Sequence, residues 1–231
     1  MSPPSLALSS KFYKSVPFEN AIRLISTLQS TKGPCLMIAS IGNPEPEYAG
    51  TRHNVGHWFL SELVESSWNN FRPFSVRSDL PYGEYSSSTD CPNMLLFKSN
   101  LTLMNIQGKP VSKVWQTFKN AKGQENSPSL VIVHDEIQIP LGKIQVRKRN
   151  TSARGHNGLR SISSCMGQNY TKICIGIGKP NDQNVAHYVL SKFNQHEEEK
   201  LYESFQKFVS ILEDMREGKY VYEVHNPKVH S

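Results

Sequence analysis

The strongest constraint in this sequence is a rhythm. Short apolar runs alternate with stretches whose apolar residues recur every three or four positions. CLMIASIG (35–42), NMLLFKS (93–99), SLVIVHDE (129–136) and YTKICIGIG (170–178) each read as a buried strand closed by turn-forming or polar residues. Between them, TRHNVGHWFLSELVE (51–65) places Val55, Phe59, Leu60, Leu63 and Val64 on one helical face, and Thr51 or Asn54 is positioned to cap that helix. VSKVWQTFKNA (111–121) and HNGLRSISSCMG (156–167) predict two more helices, the second closed by Gly167. A last helix, from about His196, aligns Leu201, Phe205, Phe208 and Leu212 and ends at Gly218. KIQVRKR (143–149) alternates in the manner of an edge strand. Strands alternating with helices predict a layered α/β fold in a single domain, without internal repeats.

Composition bounds the function. At 231 residues the chain accommodates one well-cored domain plus tails. No apolar run reaches the roughly 18–20 residues of a membrane span, so no membrane partner is expected. The four cysteines, Cys35, Cys91, Cys165 and Cys174, form no CxxC pair, which argues against structural zinc or dithiol chemistry and for a reduced, intracellular chain. The net charge is +6 and is unevenly spread: between Ile137 and Asn181 there is no Asp or Glu, but there are Lys143, Arg147, Lys148, Arg149, Arg154, Arg160, Lys172 and Lys179. With Gly and Asn interleaved, that stretch reads as a phosphate-binding surface rather than a merely solvated face. Residues 1–33 are a separate case. They are Ser-rich, carry Lys11, Lys14, Arg23 and Lys32 against Glu19 alone, and resemble an organelle-targeting presequence; the alternative is an unspecialised extension.

Several chemistries are excluded by what is missing. There is no G-x-S-x-G elbow, and Gly176-x-Gly178 lacks the third glycine and following helix of a dinucleotide loop. His53 and His57 have helical ligand spacing but no Glu between them and no evident third ligand, so no metal or other cofactor is expected. What remains is a set of polar residues at strand ends, where open α/β sheets place their sites: Asn43, Met104-Asn105, His134-Asp135-Glu136 and His156-Asn157. A histidine paired with a carboxylate is a general base, and neutral amides position water without titrating.

IGNPEPEYAGTRHNVGHWFLSELVE, TLMNIQGKPV, VIVHDEIQIPLGKIQVR, GHNGLRSI and CIGIGKPNDQNVAHYVLSKF resemble, in order and spacing, the signature blocks of the bacterial-type peptidyl-tRNA hydrolase family. The likeness runs from about Cys35 to Leu212. It implies a single domain over residues 34–231 with a twisted mixed sheet flanked by helices. It also implies hydrolysis, without a metal, of the ester joining a peptide to the 3′ end of tRNA, by a monomer that grips the acceptor stem. Carried over by position, His53 is the base that activates water and Asp135 orients it. Asn43 and Tyr48 line the site. Asn105 and Asn157 place substrate and water, with Met104 packed beside them and His156 flanking the cleft. His57 matches no catalytic position and reads as scaffold.

Two departures from the family pattern stand out. The usual glycine-rich run is here RKRNTSARGHNG, bulkier and more basic. Of the two basic residues with which the family grips the tRNA 5′-phosphate, Lys148 matches one, while the other position falls on Cys174; Arg147, Arg149 and Lys172 are the candidates to compensate. A non-catalytic RNA-binding relative of the fold, of the splicing-factor kind, is the alternative function, and the intact His53 and Asp135 argue against it. The leader makes a mitochondrion the expected location, with the cytoplasm as the alternative.

Overall fold

The computed structural model describes residues 33–180 and 184–219. Seven strands form one sheet: β1 Leu36–Ile41, β2 Ser75–Val76, β3 Glu84–Ser86, β4 Met94–Ser99, β5 Ser129–Glu136, β6 Ile144–Arg147 and β7 Thr171–Gly176. Among the described residues five α-helices accompany them: α1 Val55–Glu62, α2 Gly108–Lys122, α3 Asn157–Met166, α4 Val185–Leu190 and α5 Gln195–Arg216. The strand order is β2-β3-β4-β1-β5-β7-β6. The centre, β4-β1-β5-β7, is parallel, whereas β6 and the β2-β3 ribbon run antiparallel at the two edges. The sheet is therefore mixed, with the alternating strand KIQVRKR at an edge.

Continuous apolar runs suit the central strands because helices cover both faces of the sheet. Every residue of β1 is buried. Leu36 and Ile38 pack with Val131, Val133, Ile173 and Ile175 against α1 and α5; Met37, Ala39 and Ile41 pack with Ile132 against α2 and α3. On the first face Phe59 meets Phe205 and Phe208 edge to face, at centroid separations of 5.5 and 5.2 Å. Each such fully buried side chain contributes about 1.5–3 kcal/mol relative to exposure.

The helix boundaries follow local chemistry. α5 begins with a capping box: Glu197 N donates to Asn194 Oδ1, and Asn194 N donates to Glu197 Oε2. It stops at Gly218, whose φ of +72° is a conformation other residues resist. The expected caps of α1 are a correction. Neither Thr51 nor Asn54 caps the helix through its side chain. Thr51 Oγ1 donates to Tyr48 O, and Asn54 is used on the backbone of Asn43. The rhythm of apolar runs also missed β2, β3 and α4, which are too short to carry a periodic signal. Residues 1–32 of the expected leader (1–33) lie outside those described, as do residues 181–183 and 220–231 of the expected domain.

Candidate active site

The turn ahead of α1 and the start of α3 converge on one side chain near the end of β5, Asp135. It is the seventh residue of β5 and is fully enclosed. Its Oδ1 lies 2.8 Å from His53 Nδ1 and 2.9 Å from His156 Nε2. The two imidazoles stand 5.1 Å apart, centroid to centroid.

Each histidine arrives from a different element. His53 sits in a 3-10 turn, Arg52–Asn54, just ahead of α1. That turn is sewn into the C-terminal helices by Arg52, which donates to Ser191 Oγ and Glu197 Oε2 and lies over the rings of Tyr188 and Phe193. His156 is the N-cap of α3: Leu159 N donates to its Nδ1 at 3.3 Å. That bond makes Nδ1 an acceptor, so the proton of His156 is on Nε2 and points at Asp135. Gly158 keeps this approach open, because a Cβ there would stand 2.5 Å from Met104 Sδ and 3.2 Å from the His156 ring.

The electrostatics follow from burial and from the shared carboxylate. Burial opposes charging of His53, but the Asp135 carboxylate, through its charge and its hydrogen bond, outweighs burial and raises the imidazole above its ordinary value. Burial likewise opposes ionisation of Asp135. The two histidines beside it prevail and hold the carboxyl well below the usual carboxylate range. Asp135 thus stays ionised, keeps the His53 proton on Nδ1 and leaves Nε2 to accept another.

The other side chains expected at the site divide into two groups. Asn43 and Met104 are buried and structural in their contacts. Asn43 Oδ1 accepts from Met104 N at 2.8 Å, and Asn54 holds the Asn43 backbone from the other side. Asn105 and Asn157 are exposed, on the turn after β4 and at the head of α3, two segments that pack together: Gly108 N donates to Ser161 Oγ at 2.9 Å. Tyr48 is half-buried on the loop after β1. His57 is fully buried, bonded through Nδ1 to Ser40 Oγ at 2.7 Å, and burial with Lys98 nearby pushes it down to about 3. It belongs to the scaffold.

Two of the four expected phosphate contacts are corrected by their placement. Arg147 is buried in an ion pair with Glu136, two strands away. Lys172 has no exposed surface and donates to Thr151 O at 2.8 Å and Thr151 Oγ1 at 2.9 Å. Both are turned away from the surface a phosphate would reach. Lys148 is exposed, and Arg149 is half-buried with Nη2 donating to Ser129 Oγ. Cys174 is also interior, its Sγ 3.3 Å from His134 Nε2.

Sequence reasoning missed Arg52, Asn54 and Gln107. The last donates Nε2 to both Gly42 O and Thr102 O and so ties the loop after β1 to the loop after β4. Asn54 was read only as a cap candidate, and neither Arg52 nor Gln107 carried a signal in the sequence.

His53, Asp135 and His156 also present ligand atoms within 4.8 Å of one another, the one group of that kind among the described residues. Both imidazoles, however, direct ring N–H groups at the carboxylate, an arrangement of hydrogen-bonded donors rather than a ring of lone pairs.

Fold and site together define a class: a single α/β domain with a mixed sheet that holds two histidines on one buried carboxylate at the end of a central strand. The particular family follows from comparison with known proteins. The peptidyl-tRNA hydrolase family model matches residues 37–229. A peptidyl-tRNA hydrolase of Saccharomyces cerevisiae is 38% identical over 147 residues, covering 62% of this chain and 73% of the yeast protein. One from Thermodesulfovibrio yellowstonii is 36% identical over 186 residues, 79% of this chain and 94% of that protein. The crystal structure of peptidyl-tRNA hydrolase from Acinetobacter baumannii superposes with a TM-score of 0.63 at 27% identity, over 80% of this chain and 90% of that one. The chain belongs to the peptidyl-tRNA hydrolase family.

Proposed function

We propose that the peptidyl-tRNA hydrolase activity of this chain is carried by a water held against His53. Asn105 and Asn157 orient that water. His53 Nε2 takes its proton as the oxygen attacks the ester carbonyl, and the Nδ1–H bond to Asp135 stabilises the imidazolium that forms. The acyl–oxygen bond to the 3′-terminal ribose then breaks, and His53 returns the proton to the departing ribose oxygen. His156 touches the same Asp135 oxygen and fixes its direction. Asn43 and Met104 support the wall on which Asn105 stands, and Tyr48 lines the opposite side.

The observation that carries this reading is the single carboxylate oxygen accepting from both histidines. It supports catalysis over the non-catalytic RNA-binding alternative, because a binding module has no use for a buried, ionised Asp135. Purified protein given N-acyl-aminoacyl-tRNA is expected to release the N-acyl amino acid; tight binding without release would favour the alternative.

Lys148, Arg149, Arg154 and Arg160 form the surface for the acceptor stem in this reading, with Lys148 on the 5′-phosphate. The chain acts as a monomer in the mitochondrion. A reporter fused to residues 1–33 that stays in the cytoplasm would count against that location, and a dimeric mass in solution against the monomer.

A further inference from the structure

Beneath the phosphate-facing loop lies a buried amine that neither the catalytic chemistry nor the phosphate surface uses. Lys172, on β7, is completely enclosed, with Nζ 4.6 Å above the ring of Tyr170. Its donors go to Thr151 O and Thr151 Oγ1. Thr151 Oγ1 in turn donates to Lys148 O at 2.9 Å. A relay therefore runs from the interior ammonium, through one hydroxyl, to the backbone carbonyl of the residue that faces the 5′-phosphate.

This loop needs such an anchor. It contains Asn150 and Arg154 at φ of +61° and +45°, a region that Asn tolerates and Arg resists. Burying an amine is costly unless charge-assisted bonds compensate. Burial pushes Lys172 down to about 8, with Cys174 opposing that shift and Arg147 adding to it.

We infer that Lys172 is a positioning residue for tRNA recognition: through Thr151 it sets the direction in which Lys148 meets the 5′-phosphate. The inference rests on the reading of Lys148 given above. It also explains how the chain manages with Cys174 at the second clamp position. The positive charge next to that position, on the same face of β7, acts from below on the loop instead of touching the phosphate.

A double-variant cycle tests this on full-length enzyme with 5′-phosphorylated N-acyl-aminoacyl-tRNA. Lys148→Ala is expected to raise KM by about two- to fivefold, the range of one solvent-exposed ion pair, with kcat held. Lys172→Met and Thr151→Val are each expected to raise KM by a similar factor. Adding Lys148→Ala to either should then cost little more, because both act through the same contact. On dephosphorylated substrate Lys172→Met and Thr151→Val should lose their effect on KM. Effects that add would overturn the inference, as would a fall in kcat with KM unchanged. A loss of salt dependence on removing Lys172 while Lys148 is absent would make Lys172 a phosphate ligand itself, and the relay would be wrong. If Lys172→Met does not fold, the Thr151→Val cycle decides alone. A Lys148→Ala variant with unchanged KM would instead remove the phosphate role of Lys148, a failure distinct from that of the relay.

Discussion

His53 and His57 stand four residues apart at the head of one helix and have opposite chemistry. His53 faces an ionised carboxylate, and its imidazole is raised above the ordinary value. His57 points into the sheet at a neutral hydroxyl, Ser40, and is pushed down to about 3. The two rings are of one residue type on adjoining elements, and the carboxylate beside one, against burial and nearby Lys98 at the other, separates a raised imidazole from a lowered one. β5 teaches the same lesson in reverse. Asp135 is directed at His53 and His156, whereas its neighbour His134 lies on the opposite face of the strand, bonded to its own chain at Asp135 O and pushed down to about 3 mainly by burial. Its ring packs edge-on against His156 at 5.0 Å, so the neutral histidine props the one that bonds Asp135 beside His53.

The contrast can be broken most severely at His53. His53→Ala should lower kcat by on the order of 10²- to 10⁴-fold with little change in KM. Single-turnover release of N-acyl amino acid measures it, and near-normal turnover would take the base role from His53.

Asp135→Asn should follow, with a loss of at least about 10²-fold, because an amide permits the wrong tautomer. It should also move the pH profile. The base works when neutral, and its value is raised, so wild-type kcat/KM should fall as pH drops through a point above 6.5. In Asp135→Asn the residual activity should persist to lower pH, since burial then acts unopposed. An acid limb that does not move would detach Asp135 from His53.

The brace side of the comparison shows in stability rather than rate. His57 has a folded value far below its unfolded one, so the unfolded chain binds the extra proton. Stability should therefore decline as pH falls from about 6.5 towards 3, at up to about 1.4 kcal/mol per pH unit for one such group. His134, also at about 3, adds to the decline. The raised His53 has the opposite sign: its contribution is fully present below 6.5 and is lost as pH rises through its folded value. Denaturant midpoints from pH 7 to 4 would test this, and His57→Asn should flatten the decline by one proton.

Smallest is the effect of Ser40→Ala. It removes the hydroxyl from His57 Nδ1 and leaves a buried ring nitrogen unmet, a loss of about 1–3 kcal/mol in stability. Hydrolysis should stay within about twofold of wild type. A large fall in kcat would mean that His57 takes part in the chemistry after all.

The sequence by itself determined the elements long enough to carry a period. These are the four central strands, the edge strand KIQVRKR, and the helices bearing Phe59, Trp115, Ile162 and Phe208. It also placed polar residues at strand ends, because a buried apolar run must stop where the chain re-enters water. Asn43, Asn105, Asp135, His156 and Asn157 were legible for that reason, whereas His53 took its role from the family resemblance; the structure brings His53 and His156 to one oxygen of Asp135. Tertiary structure alone decided which charges face inward. Arg147 and Lys172 read as surface cations because burying a charge is costly, and local sequence holds no sign of a partner. The partners come from elsewhere: Glu136 across an intervening strand, and Thr151 on a loop 21 residues away. Only the sheet order brings them close enough to offset the desolvation. Likewise no spacing rule tells that Asp135 faces His53 while His134 faces Cys174. Alternation along β5 fixes that neighbours point oppositely, but which side holds the base depends on where α1 and α3 pack.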